Sequence, residues 1–121
     1  MARLLVVDDE GDIRHLYAAE LEDEGYEVAT AGNSADALAL LDHQTFDLVI
    51  LDIQLDQESG LELLQTITRK QADLPVVLCT AFSSYRDDFS SWLADAYVVK
   101  SSDLNELKQE VKHVLNKQHP S

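Results

Sequence analysis

Four short apolar runs stand out along the chain, and each ends abruptly at a polar residue. Leu4-Leu5-Val6-Val7 stops at Asp8-Asp9, Leu48-Val49-Ile50-Leu51 at Asp52, Val76-Val77-Leu78-Cys79 at Thr80, and Tyr97-Val98-Val99 at Lys100. None of them alternates, so each reads as a strand buried on both faces, as in a parallel sheet covered on two sides. A carboxylate is too costly to continue into the same apolar layer without a partner. Asp52 therefore marks the carboxyl end of its strand. In a parallel sheet these ends lie side by side, along the rim where open α/β folds place their chemistry.

Between the runs the apolar period becomes that of a helix. Ile13, Leu16, Tyr17 and Leu21 share one face of a helix predicted over residues 12–24, and Gly25 follows as a C-terminal glycine. Residues 26–30 alternate Tyr-Glu-Val-Ala-Thr, which marks an edge strand. Ser34 is the predicted cap of a second helix that turns Ala37, Leu38 and Leu41 inward. Residues 53–59 read as an acidic loop, Gly60 opens a third helix with Leu61, Leu64 and Ile67 inside, and Arg69 and Lys70 suit its negative end. Pro75 opens the fourth strand, and Ser84 begins a short fourth helix whose Tyr85, Phe89, Trp92, Leu93 stripe reads as core packing. Asp103 and Glu106 are spaced as a capping pair for a fifth helix, with Leu104, Leu107, Val111, Val114 and Leu115 on its inner face. Five strands alternating with five helices predict one doubly wound (βα)5 α/β sandwich over residues 1–121, with right-handed crossovers.

Composition narrows the function. A chain of 121 residues with 45% hydrophobic content suits one domain with a real core. No apolar run approaches the roughly 18–20 residues of a membrane span, and Met-Ala-Arg before the first strand has no signal-peptide shape. A single cysteine forms no internal disulfide and fits a cytoplasmic location. The net charge of -14, from 9 basic and 23 acidic residues, repels nucleic acid and anionic lipid, so direct binding to either is not expected. His15, His43, His113 and His119 lack the spacing of a metal site and read as solvated.

The rim chemistry is more specific. Asp8, Asp9 and Asp52 would bring three carboxylates together, and like charges so close raise one another's pKa unless a cation neutralises them. Mg²⁺ suits such a place, since it takes hard oxygen ligands from one or two carboxylates and a phosphate. Thr80 adds a hydroxyl and Lys100 a mobile ammonium for phosphoryl oxygens. Alone, Asp8-Asp9 would read as a loop pair and Asp52 as a turn residue. Together with Thr80 and Lys100 they supply what phosphoryl transfer to a carboxylate needs: nucleophile, metal site, cation and donor.

In this order and spacing the residues resemble the receiver domain of two-component response regulators, the chemotaxis-regulator-like family. The likeness runs through Asp8-Asp9, Asp52, Gly60 eight residues later, Thr80-Ala81 and Tyr97-Val98-Val99-Lys100. It implies a flavodoxin-like parallel sheet in the order 2-1-3-4-5. It implies that Asp52 accepts a phosphoryl group from a histidine kinase or histidine phosphotransfer protein. Mg²⁺ would be held by Asp9, Asp52 and the backbone carbonyl of Gln54, with Asp8 acting through water. Thr80 and Lys100 would contact the phosphoryl group. Thr80 and Tyr97 would switch the surface of the fourth helix, fifth strand and fifth helix toward an effector. The protein would be a monomer or a weak phosphorylation-dependent dimer, with only slow self-phosphorylation and dephosphorylation. Two positions depart from the family pattern: Ser101 stands where a cis proline usually follows the lysine, and Asp56 replaces the proline four residues after the acceptor.

Other classes fit less well. A phosphatase of the haloacid dehalogenase type needs an acid two residues after its nucleophile, and Gln54 stands there. A flavin carrier needs a Ser/Thr/Gly phosphate loop after the first strand, where this chain has Asp8-Asp9-Glu10-Gly11. A degenerate receiver used only for protein contact would not need the intact acidic set and Lys100.

Overall fold

The computed structural model describes residues 1–55, 58–81, 93–100 and 103–118. All four apolar runs are strands. With Glu27–Ala31 they build one five-stranded sheet from β1 (Arg3–Val7), β2 (Glu27–Ala31), β3 (Leu48–Leu51), β6 (Val76–Thr80) and β7 (Ala96–Val99). The order is β2-β1-β3-β6-β7 and every pairing is parallel, which is the 2-1-3-4-5 arrangement of the five main strands. The register sets Leu4 beside Leu48 and Val7 beside Leu51, so β1 and β3 end level.

Alternate residues of each strand feed opposite layers. Leu5, Val7, Val49, Leu51, Val76 and Leu78 face α2 (Ser34–His43) and α3 (Gly60–Lys70), where Ala37, Leu41, Leu63, Leu64 and Ile67 are buried with them. Leu4, Val6, Leu48, Ile50, Val77, Cys79 and Val98 face α1 (Gly11–Asp23) and α4 (Asn105–Gln118), against Tyr17, Leu21, Leu107, Val111 and Val114. Among the described residues two helices lie on each face and the central strands are fully buried, which is why those strands show no alternation in sequence. β2 has Glu27 and Thr30 exposed, as an edge strand should.

Helix ends follow local chemistry. Gly25 lies beyond α1 at φ 97 and donates its N–H to Glu22 O at 3.0 Å, a left-handed turn that glycine makes without a Cβ penalty. At α4, Asp103 Oδ1 accepts the Asn105 N–H at 2.9 Å. The cap of α2 differs from expectation. Ser34 is the first helical residue, and Asn33, in extended conformation, caps the helix through Oδ1 to the Asp36 N–H at 2.8 Å. Asn at the N-cap is at least as good as Ser, so the choice fell to the residue one position earlier.

Three further expectations are corrected. Leu16 does not join the inner face of α1 and is 46% exposed, because Tyr17 and Leu21 take the inward positions. Leu93 is likewise 46% exposed rather than part of a packed stripe. The acidic segment after β3 is no plain loop: β4 (Gln54–Leu55) and β5 (Glu58–Ser59) pair antiparallel as a small hairpin that leads into α3. Asp56, Phe82, the segment 84–92 with Tyr85, Phe89 and Trp92, Ser101 and His119 lie outside the described residues.

Candidate functional site

β1 and β3 end level, β6 and β7 end level with each other two residues further on, and Asp8, Asp52, Thr80 and Lys100 come to one rim. Asp8 N–H donates to Ala31 O at 3.1 Å and Asp52 N–H to Val7 O at 3.0 Å, so the sheet ladder carries both backbones into the site. Lys100 N–H donates to Thr80 O at 2.6 Å, extending the β6–β7 ladder by one residue. Thr80 is buried.

Lys100 is the centre of this rim. Its Nζ lies 2.7 Å from Asp8 Oδ2 and 2.9 Å from Asp52 Oδ2. The side chains of Asp8, Asp52 and Lys100 are 3%, 6% and 15% exposed. The other carboxylate oxygens are also engaged. Asp8 Oδ1 accepts the Glu10 N–H at 2.9 Å, and Asp52 Oδ1 accepts the Gln54 N–H at 3.1 Å. Among the described residues no buried side-chain nitrogen or oxygen lacks a partner.

The electrostatics follow from this crowding. Burial pushes the Asp52 carboxyl above the ordinary range and Asp8 adds to the rise, while Lys100 and the Gln54 N–H pull it back in part. Burial alone would lower Lys100, but its hydrogen bonds to Asp8 and Asp52 more than reverse that, and it stays protonated. Asp9 and Glu10 extend the acidic group outward: carboxylate oxygens of Asp8, Asp9 and Glu10 lie within 4.8 Å of one another. Hard oxygen donors packed this closely, beside the Asp52 carboxylate, fit a Mg²⁺ ion. Asp52 joins the trio through Lys100 rather than lying within it.

Gly60 holds the exit of β3. A Cβ there would fall on the Asp52 carbonyl oxygen and lie 2.8 Å from Ile53 Cα. Only glycine allows α3 to start this close to the Asp52–Ile53 peptide, and the Gly60 N–H donates to Ile53 O at 2.6 Å. Tyr97, beside Leu78 in the register, is half-buried against the α2–α3 layer.

Beneath the rim, the Tyr17 hydroxyl meets Cys79 Sγ at 3.5 Å, both buried. Burial, then Cys79, Asp8 and Asp52, push the Tyr17 hydroxyl upward, and burial pushes the Cys79 thiol up to about 11. Cys79 is thus the small buried residue the sequence suggests. His15, His43 and His113 are exposed. A cleft of about 520 Å³ between Phe46, Asp47, Lys70 and Pro75 opens at the opposite, amino edge of the sheet, away from this chemistry.

Sequence reasoning passed over Arg14. Its Nη1 donates to the Asp8 carbonyl at 2.6 Å. The available signal was a cation in the opening turns of a helix, where the dipole disfavours it without a specific partner. It also passed over Glu10, which continues the Asp8-Asp9 run.

Known proteins resemble this chain over most of its length. The family model of the response regulator receiver domain matches residues 4–112. The response regulator TrrA of Thermotoga maritima is 51% identical and superposes with a TM-score of 0.91 in its Mg²⁺–BeF complex, over 94% of this chain and 99% of that one. The same relative in complex with the histidine kinase ThkA gives 0.89, over 95% and 99%. Among curated relatives, the probable transcriptional regulator ycf27 of Cyanidium caldarium is 34% identical over 116 residues, 94% of this chain and 46% of that protein. The alginate biosynthesis regulator AlgB of Pseudomonas aeruginosa is 39% identical over 108 residues, 88% of this chain and 24% of that protein. The chain thus spans half or less of these curated relatives. Its sheet order, its rim of Asp8, Asp52, Thr80 and Lys100, and the family match over nearly its whole length agree: the chain belongs to the response regulator receiver domain family.

Proposed function

We propose that this receiver domain takes a phosphoryl group on Asp52 from a phosphorylated histidine of a kinase or phosphotransfer protein, and relays the change to an effector. The observation that carries the reading is the buried Asp52 carboxylate at the end of β3, with Lys100 Nζ at 2.9 Å and Asp8 alongside. An Asp52 carboxylate oxygen attacks phosphorus, an O–P bond forms, and the N–P bond to the donor imidazole breaks. The departing imidazole takes up a proton. Lys100, already at Asp52 Oδ2, follows the charge onto a phosphoryl oxygen, and the Thr80 hydroxyl donates to another. Mg²⁺, held by Asp9, Asp52 and the Gln54 carbonyl with Asp8 acting through water, would supply charge neutralisation for the transferring oxygens. The complexes of the relative TrrA with Mg²⁺–BeF and with the kinase ThkA support both the metal and the donor.

The switch in this reading is the movement of Thr80 and Lys100 toward the new phosphoryl group, which draws on β7 and shifts Tyr97 between half-buried and exposed positions. A ligand moves such an equilibrium only through differential contacts with the two states, and these two residues supply them. Spontaneous phosphorylation and hydrolysis are slow side reactions of the same site. Among the described residues no helix is long and apolar enough to cross a membrane.

The test is beryllofluoride binding followed by fluorine NMR. Bound resonances should appear only with Mg²⁺ present and should vanish in Asp52→Asn. Bound resonances of equal intensity in the Asn variant would reject Asp52 as acceptor.

A further inference from the structure

Arg14 has no part in the transfer chemistry, yet it is tied to the backbone that carries the acidic trio. It sits in the opening turns of α1, the end of a helix where the dipole disfavours a cation. Its Nη1 donates to the Asp8 main-chain carbonyl at 2.6 Å. Two glycines leave it room: a Cβ at Gly32 would lie 3.0 Å from Nη1, and one at Gly11 3.5 Å from Nη2. The guanidinium thus lies across the turns that follow β1 and β2.

That carbonyl belongs to the peptide that begins Asp9. The rest of Asp8 is already fixed: its N–H on Ala31 O, Oδ1 on the Glu10 N–H and Oδ2 on Lys100. The Asp8–Asp9 peptide plane is the remaining freedom, and rotating it would re-aim the Asp9 carboxylate. We propose that Arg14 is a positioning residue for divalent-cation binding, which fixes the Asp8–Asp9 peptide plane and so aims Asp9. The inference rests on the reading that Mg²⁺ binds at this loop. Two effects of Arg14 oppose each other. Its positive charge repels an incoming cation, and its hydrogen bond pre-organises the carboxylates that receive it. The short, confined contact makes pre-organisation dominate, as hydrogen bonds behind metal ligands commonly do.

The experiment is calorimetric titration of the unphosphorylated chain with Mg²⁺ alone, for wild type, Arg14→Met, Arg14→Lys and Asp9→Asn. Circular dichroism at the titration temperature checks the fold. Arg14→Met should bind on the order of tenfold more weakly. Arg14→Lys, with the charge but not the fork, should fall between it and wild type. Unchanged or tighter binding by Arg14→Met overturns the proposal, since charge repulsion would then be the larger effect. If Arg14→Met is unfolded, Arg14→Lys decides alone: weaker than wild type supports the proposal, and equal affinity overturns it. Weakened binding by Asp9→Asn with unaltered binding by the Arg14 variants defeats this inference only. Unaltered binding by Asp9→Asn defeats the metal reading as well.

Discussion

Replacing Lys100 by Met keeps the chain length and deletes the ammonium between two buried carboxylates. Nζ lies 2.7 Å from Asp8 and 2.9 Å from Asp52, and both acids are almost fully enclosed. Removing one partner of a buried ion pair typically costs about 3–5 kcal/mol, because the remaining charge has lost its compensation. With the lysine side chain 15% exposed, water relieves part of this, and about 3 kcal/mol is expected at pH 7 without Mg²⁺. Against a typical domain stability of ~5–15 kcal/mol the variant stays measurable by urea unfolding. In the Asp52→Asn background the same substitution leaves only Asp8 uncompensated, so the cost should fall by roughly 1–2 kcal/mol, the coupling of the pair. Mg²⁺ at a hundredfold over its dissociation constant adds about 2.7 kcal/mol to wild type, and more to Lys100→Met, where it meets a bare pair of carboxylates. A loss under about 1 kcal/mol, or the same loss with Asn at position 52, would refute the ion-pair account.

Three more outcomes follow from the same geometry. Gly60→Ala should lower stability by about 1–3 kcal/mol and reduce phosphorylation at once, because the Cβ displaces the Asp52–Ile53 peptide; urea midpoints and labelling rates measured together check it. The folded Asp52 pKa is raised, so its contribution to stability is full below the unfolded value and is lost as pH rises through the folded one. Asp52→Asn should therefore be more stable than wild type at pH 7 without Mg²⁺, with the difference shrinking toward pH ~4, as thermal unfolding across that range would reveal. Cys79, buried and with its thiol pushed up to about 11, should resist a thiol reagent at neutral pH in the native state and react promptly in urea.

The sheet was legible because its signal is redundant. Runs such as Leu48–Leu51 are apolar without alternation and stop at a charge, so strand, double burial and carboxyl rim all follow from one pattern. The convergence of Asp8, Asp52 and Lys100 was legible for the same reason, since parallel strands carry the residues at their carboxyl ends to one rim, with Asp8 and Asp52 following strands that end level and Lys100 following the longer β6–β7 pair. Features decided by a single competing contact were less so. Asn33 and Ser34 are both good caps, and one residue of chain direction chose Asn33. Leu16 and Tyr17 are adjacent on α1, and the larger ring with a hydroxyl partner at Cys79 took the buried place. The β4–β5 hairpin pairs only two residues on each side, too short for any periodicity. Arg14 acts on a backbone carbonyl, a target present at every residue and so invisible in sequence.

The central claim is that Asp52 is the phosphoacceptor, and intact-mass spectrometry tests it most directly. The chain is incubated with acetyl phosphate and Mg²⁺, and the modified residue is located by peptide mapping. The account predicts one added phosphoryl group, on Asp52, absent with a chelator and absent in Asp52→Asn. Equal labelling of the Asn variant, or a phosphoryl group found on Asp8 or Asp9 in wild type, would contradict it.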